Sequence, residues 1–367
     1  MKAPLSTFVL AAAILSSGCA GAGQAATNAQ ASLTTDFIYV CNQGEATVSV
    51  IDARLNEIVE TIDLKAMGYP ANAKPHHVVV EPDGSFWYLS MIVANRVLKF
   101  NRDNEVVGSA EFAVPGMMAL NHADDVLYVG RSMAAVNPPQ SIGIIRRGDM
   151  TVDEVDVFFP RPHAIAVTLD GGYVLSASLA ENRMVVLDQA TGDGTFFDFG
   201  GPVNTLVQFA ISPDGNTAIV GGEITNKLFF LDTSKLPAIS VRSEIEVGSR
   251  PWHPIFAADG RHAYFGNKGV NTVTVVDTQA GRVVKTISGE GMAQPHGSAI
   301  SADGRFVYIS QQNTGMAGMA GMAGMDMPAG GAMNGHVVVI DTATNEIAKV
   351  IEVGVMPSGV GSRGISK

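Results

Sequence analysis

The stretch Phe37-Ile38-Tyr39-Val40-Cys41-Asn42-Gln43-Gly44, followed after three residues by Val48-Ser49-Val50-Ile51-Asp52, decides how the rest of the chain is read. Its first part is β-branched and aromatic, the Asn/Gly region supplies a turn, and the second part alternates before stopping at Asp, which predicts two antiparallel strands. A third short strand over Glu57 to Ile62 and a fourth that closes on Pro82-Asp83-Gly84 complete the unit. Later copies of the Asp-ended run are Met184 to Asp188, Leu228 to Asp232, Val273 to Asp277 and Val337 to Asp341. The Asp-Gly turn returns at 170/171, 214/215, 259/260 and 303/304, at intervals of 44, 45 and 44 residues. Four strands per 40 to 50 residues is the signature of propeller blades.

Second strands begin near Phe37, Phe86, Val126, Tyr173, Thr217, Ala263 and Phe306, so an all-β, seven-bladed β-propeller is expected over residues 37–367. The first blade lacks an innermost strand at its start, and Pro357-Ser358-Gly359-Val360-Gly361 is one to spare. This tail is expected to close the ring beside residues 37–41 and so remove the open sheet edge. The wording of the repeats, with copies such as Ala263-Tyr264-Phe265-Gly266-Asn267, resembles the YVTN family of β-propeller repeats. That resemblance implies the fold and little about activity, because propellers host unrelated functions. The aspartates at 52, 188, 232, 277 and 341 sit after a strand and before a turn, where a carboxylate accepts from turn amides.

The chain has 367 residues, 40 glycines and a formal net charge of −11. Such an acidic balance argues against nucleic acid as a general partner. Lys2, the apolar stretch Phe8 to Leu15 and the run Leu15-Ser16-Ser17-Gly18-Cys19 read as a bacterial export signal over residues 1–18. The run is too short to span a bilayer as a permanent helix. Gly18 and Cys19 resemble the end of a lipobox, although Ser16 stands where Leu is usual; that resemblance implies lipidation of Cys19, a tether over 19–36 and anchoring to the outer membrane from the periplasm. Ordinary cleavage near Ala20-Gly21-Ala22 or Ala25-Ala26 is the alternative. With Cys19 lipidated, Cys41 has no disulfide partner and reads as a packed thiol, or as a soft-metal ligand.

Aligned on the proline that opens each innermost strand, Pro75, Pro162, Pro251 and Pro295 each stand nine residues before a turn glycine. The two positions after these prolines hold His76 and His77, His163, His253 and His296, with Trp252 beside His253. Fourteen such slots would hold about 0.3 histidines by chance. Innermost strands line a propeller channel, so imidazoles distant in sequence converge there and offer borderline nitrogen donors suited to copper or zinc. The simpler role is packing, with each ring bonded to a backbone carbonyl. Consecutive His76 and His77 face opposite ways in a strand, so one joins the cluster. Met117 occupies the matching region of the second blade, as a soft donor or as a space filler.

Between strands of the last blade an insertion, 314–335, carries Met316, Met319, Met322, Met325 and Met327 on a Gly/Ala background, then Met333. Glycine at this density does not make a core helix. The pattern resembles the methionine-rich copper-binding stretches of periplasmic copper-tolerance proteins, and thioethers suit Cu(I) without a proton to gain. The insertion is expected to open on the face where the histidines begin. Lys74, Arg161 and Arg250 directly precede the aligned prolines and form a basic collar at the same mouth, suited to an anionic ligand. No Ser-His-Asp order, phosphate-loop glycine motif or haem Cys-x-x-Cys-His is present.

These residues favour an exported binding protein that captures, buffers or hands over copper, with a periplasmic partner protein and no catalysis. A lactonase- or lyase-like propeller acting on an anionic substrate and a cell-envelope interaction scaffold are the alternatives. The anchor has its own test: Cys19→Ser is expected to move the protein from the membrane to the soluble envelope fraction. Wild-type fractionation of the mutant, with mature protein starting at Ala20 or later, rules the anchor out.

Overall fold

The structure, a computed structural model, describes residues 36–314 and 333–364. The signal, the tether up to Thr35, Cys19 and Met316, Met319, Met322, Met325 and Met327 lie outside the described residues. Among the described residues there are twenty-eight strands, β1 to β28 in chain order, and no helix. They form seven four-stranded antiparallel sheets. The first contains β1 (Phe37–Asn42), β2 (Thr47–Asp52) and β3 (Glu57–Asp63), with β28 (Pro357–Gly361) as its innermost strand. The other innermost strands are β4 (Pro75–Val80), β8 (Pro115–Leu120), β12 (Pro162–Val167), β16 (Leu206–Ile211), β20 (Pro251–Phe256) and β24 (Pro295–Ile300). Each innermost strand packs beside the next, and β28 lies between β24 and β4, so the ring is closed. This is the seven-bladed β-propeller that the repeat predicts, with the C-terminal strand completing the first blade.

The turn carboxylates have the role expected of them. Asp52, Asp188, Asp232 and Asp341 each accept at Oδ1 from the amide two residues on, at 2.8–2.9 Å. Asp277 accepts from two amides, at 3.1 and 2.9 Å. The other recurring turn needs glycine, because Gly84, Gly171, Gly215, Gly260 and Gly304 all have φ between 65° and 74°, a region that side chains disfavour. Its aspartate caps the turn in the same way, as Asp303 does for the Arg305 amide at 3.0 Å.

Each blade is sandwiched between neighbours, so its middle strands are buried on both faces; β2 is buried throughout, while the outermost β3 is exposed except for Ile62. Tyr39 of the first blade stacks on Trp87 of the second at 4.5 Å, and Trp87 stacks on Phe100 at 3.9 Å. Cys41 is fully buried in the same cluster, where burial pushes its thiol pKa well up; it is the packed thiol of the two roles considered. Met117 likewise fills the core between the third and fourth blades.

Closure imposes close contacts. A Cβ at Gly359 would lie 2.2 Å from the His76 carbonyl oxygen, and one at Gly297 2.3 Å from the Ser358 oxygen. Ser310 Oγ donates to the Ser358 carbonyl at 2.5 Å, and the Ser358 hydroxyl lies 3.3 Å from the carbonyls of Pro75 and His76. Removing residues 357–367 therefore exposes two sheet edges and deletes a ladder of bonds worth about 1 kcal/mol each. A melting temperature lowered by roughly 10 °C or frank aggregation is expected, and Gly359→Val is expected to act in the same direction. Wild-type melting of both variants would rule out the shared blade.

Candidate functional site

Two backbone features recur at the top of every blade. The residue before each innermost strand is left-handed: Lys74, Val114, Arg161, Thr205, Arg250, Gln294 and Met356 have φ between 45° and 61°. Its carbonyl accepts from the amide of the residue just after the second strand. Ile92 bonds Lys74 at 3.0 Å, Leu179 bonds Arg161 at 3.1 Å, Glu223 bonds Thr205 at 3.1 Å and Lys268 bonds Arg250 at 2.9 Å, with the same bond in the other three blades. Paired positions are therefore presented at one mouth from all seven blades.

Immediately below, each innermost strand bulges against the second strand of its blade. Bulges re-aim side chains out of strict alternation. The histidines stand within these bulges. His76 and His163 have ring centres 6.0 Å apart, His76 and His296 6.4 Å, and His253 and His296 5.0 Å. Trp252 packs 4.3 Å from His296. All four imidazoles are buried, and they come from four different blades. His77 makes a different contact, its Nδ1 accepting from the Met118 amide at 3.2 Å. It is satisfied by the neighbouring blade.

One ring nitrogen of each clustered imidazole has no partner among the described residues: Nε2 of His76, His163 and His253, and Nδ1 of His296. For His163 the tautomer follows from the other nitrogen, since Nδ1 lies 2.8 Å from the Arg131 carbonyl. Nδ1–H donates there, which leaves Nε2 as a free lone pair. Gln43 Nε2 lies 3.4 Å from His76 Nδ1. Burial holds all four rings neutral. It pushes the His163 pKa down to about 4, opposed by the Arg131 carbonyl, and it drives His76, His253 and His296 well below the usual range, with neighbouring imidazoles and Lys268 adding to the effect. Among the described residues no three His, Cys, Asp or Glu side chains stand in metal-holding geometry.

His76, His296 and Trp252 also line a cavity of about 340 Å³ at the mouth. All three collar residues reach it, but they differ in what they offer. Arg250 is committed to the buried Glu223, with Nε at 2.9 Å and the terminal nitrogen at 2.5 Å from Oε1. Arg161 donates a terminal N–H to the Met133 carbonyl at 2.5 Å, and its Nε has no partner. Lys74 forms no ion pair among the described residues. A fourth cation, Lys268, lies with Nζ 4.2 Å over the Trp252 ring; burial, reinforced by Arg250, lowers its pKa to about 7. Met133, Met356 and Thr314, the last described residue before the methionine-rich insertion, line the cavity as well.

Lys268, Glu223, Met133 and Met356 were not singled out by the proline register. Lys268 and Glu223 follow second strands, and reading the residue after each second strand across the repeats finds both.

No family model and no curated protein matches the chain. It is similar in structure to a functionally unknown protein from Desulfotomaculum acetoxidans DSM 771, with a TM-score of 0.70 and 16% identity over 90% of this chain and 100% of that one. It is also similar to Kuenenia stuttgartiensis hydrazine synthase, with a TM-score of 0.59 and 19% identity over 78% and 89% of the two chains. Streptogramin B lyase matches with a TM-score of 0.59 and 15% identity over 76% and 95%. These likenesses establish the fold.

The neutral imidazoles make stability depend on pH. Histidine titrates near 6.5 once unfolded, whereas the folded rings resist protonation, so below that pH the unfolded chain binds more protons. Stability is expected to fall as pH drops through about 6.5 and to keep falling towards the folded values, by up to ~1.4 kcal/mol per pH unit for each such ring. Melting curves of chelator-treated protein between neutral and mildly acidic pH check this. His163→Gln should flatten the dependence, and an unchanged slope would contradict the buried neutral ring.

Proposed function

We propose that the protein is an exported, lipid-anchored propeller that captures copper and hands it to a periplasmic partner. The ion is cargo, held by the channel imidazoles and collected by the methionine-rich insertion. One observation carries this reading: four buried, neutral imidazoles from four blades each keep a ring nitrogen unpartnered. An unpaired buried polar atom is costly and asks for an explanation, and neutral imidazole is a borderline donor that suits copper.

The spacing is compatible with shared ligation. Two imidazoles bound to one ion at 2.0–2.1 Å have ring centres roughly 5–6 Å apart, against 5.0–6.4 Å for the three neighbouring pairs. With no three-residue set among the described residues, the holder is read as an imidazole pair, a low coordination number that Cu(I) accepts. Thioethers supply further soft donors: Met133 and Met356 on the cavity wall, and Met316, Met319, Met322, Met325 and Met327 in the insertion that begins beside it. The likeness to streptogramin B lyase is a likeness of fold, and fold alone does not transfer chemistry.

The test is a competition titration of Cu(I) against a chelator on three proteins. Replacing His163 and His296 together by Gln should abolish the tightest bound equivalent. Deleting residues 315–333 should keep that equivalent and lower total uptake. Acid should weaken the imidazole site before the thioethers, but only as pH falls towards the depressed values of the folded rings, about 4 for His163, because a protonated ring cannot ligate and a thioether has no proton to gain. Equal stoichiometry and affinity in all three proteins, or no binding in any, ends the copper reading.

A further inference from the structure

The cavity above the imidazoles carries a charge that a metal cargo does not explain. The chain is acidic, at −11 overall, yet the wall holds Lys74, Arg161, Arg250 and Lys268 against the single carboxylate of Glu223. That carboxylate is paired with Arg250, which leaves the positive charges of Lys74 and Arg161 and a partial one on Lys268, whose pKa burial lowers to about 7, in a concave, partly desolvated space. Like charges gathered this way repel one another unless an anion joins them.

From these residues we infer that the mouth cavity is a binding site for a small oxyanion carrying two or more negative charges, distinct in job from the imidazoles beneath it. Lys74 and Lys268 form no ion pair among the described residues, and Arg161 Nε is buried without a partner. Trp252 Nε1 is a further unpartnered donor, on a side chain only 1% exposed. These donors come from blades spread around the ring, and the side chains of Lys74, Arg161 and Lys268 leave from the backbone-paired positions of the mouth. The site is therefore held by the scaffold and not by a loop. A volume of about 340 Å³ is at the small end of ligand pockets, which fits a phosphate or a compact polycarboxylate. Arginine contributes planar donors matched to either, and lysine contributes point charges.

The inference does not depend on copper, so it is tested on chelator-treated protein at neutral pH. Inorganic phosphate and citrate are titrated calorimetrically, with sodium chloride at matched ionic strength as the control. One equivalent of phosphate or citrate is expected to bind, and chloride is not expected to reproduce the heat. Lys268→Met and Lys74→Met are each expected to weaken binding about tenfold, the scale of one charge-assisted contact, while Lys268→Arg retains most of it. Lys349→Met, which removes a lysine from the outermost strand of the last blade, outside the cavity wall, should leave anion affinity unchanged. Should one methionine variant fail to fold, the other still decides. Citrate ahead of phosphate identifies a carboxylate ligand, and the reverse order a phosphate one; either supports the site. Heats no greater than the chloride control, or wild-type affinity in both methionine variants, overturn it.

Discussion

The antiparallel pairing of β28 with β1 is the constraint on which everything else rests. A propeller blade is buried on both faces only when it has a neighbour on each side, and the first and last blades find each other through this one strand. Closure converts a row of sheets into a ring, and a ring has an axis on which all seven innermost strands converge. Glycine at 359 and 297 is the local condition for that convergence, since backbone atoms of the adjoining strands occupy the space a side chain would need.

Convergence has an electrostatic consequence. The same strands that must approach closely place imidazoles from four blades within about 6 Å of their neighbours. Protonating several of them together would set like charges side by side in a poorly solvated channel, and burial already disfavours the charged form. The rings are therefore neutral donors and acceptors. His163 is additionally oriented by the Arg131 carbonyl, and the Arg131 side chain is itself locked by Glu154, Ser141 and the Phe112 ring. One imidazole is thus held by a neighbouring blade.

The mouth above follows a different rule. Its residues are set by two backbone positions per blade, one left-handed and one just past the second strand, joined by a hydrogen bond in every repeat. Because the left-handed conformation occurs in all seven blades, it belongs to the architecture and is no sign of strain at one functional residue. The side chains carried there vary from blade to blade, so the scaffold presents a rim whose chemistry can change without disturbing the ring. Here that rim is cationic, and beneath it lie rings with unpartnered nitrogens.

Much of this was legible in the linear chain. A period of about 44 residues, the Asp-ended runs and the Asp-Gly turns determine blade number and strand order, because turn chemistry and strand alternation are local properties. The proline register also located His76, His163, His253 and His296, since a repeat fixes which positions share a ring. What it could not decide was how neighbouring rings face one another, because that depends on bulges that rotate residues out of alternation. It could not separate Arg250, spent on Glu223 from the adjacent blade, from Lys74 and Arg161, as that pairing crosses between units. Nor could it place Lys268 over Trp252: the two are sixteen residues apart, one just past the second strand of its blade and the other on the innermost strand, and only the folded sheet brings them to one cavity. Periodicity within the chain determines which residues reach the axis, and packing between blades decides what they do to one another there.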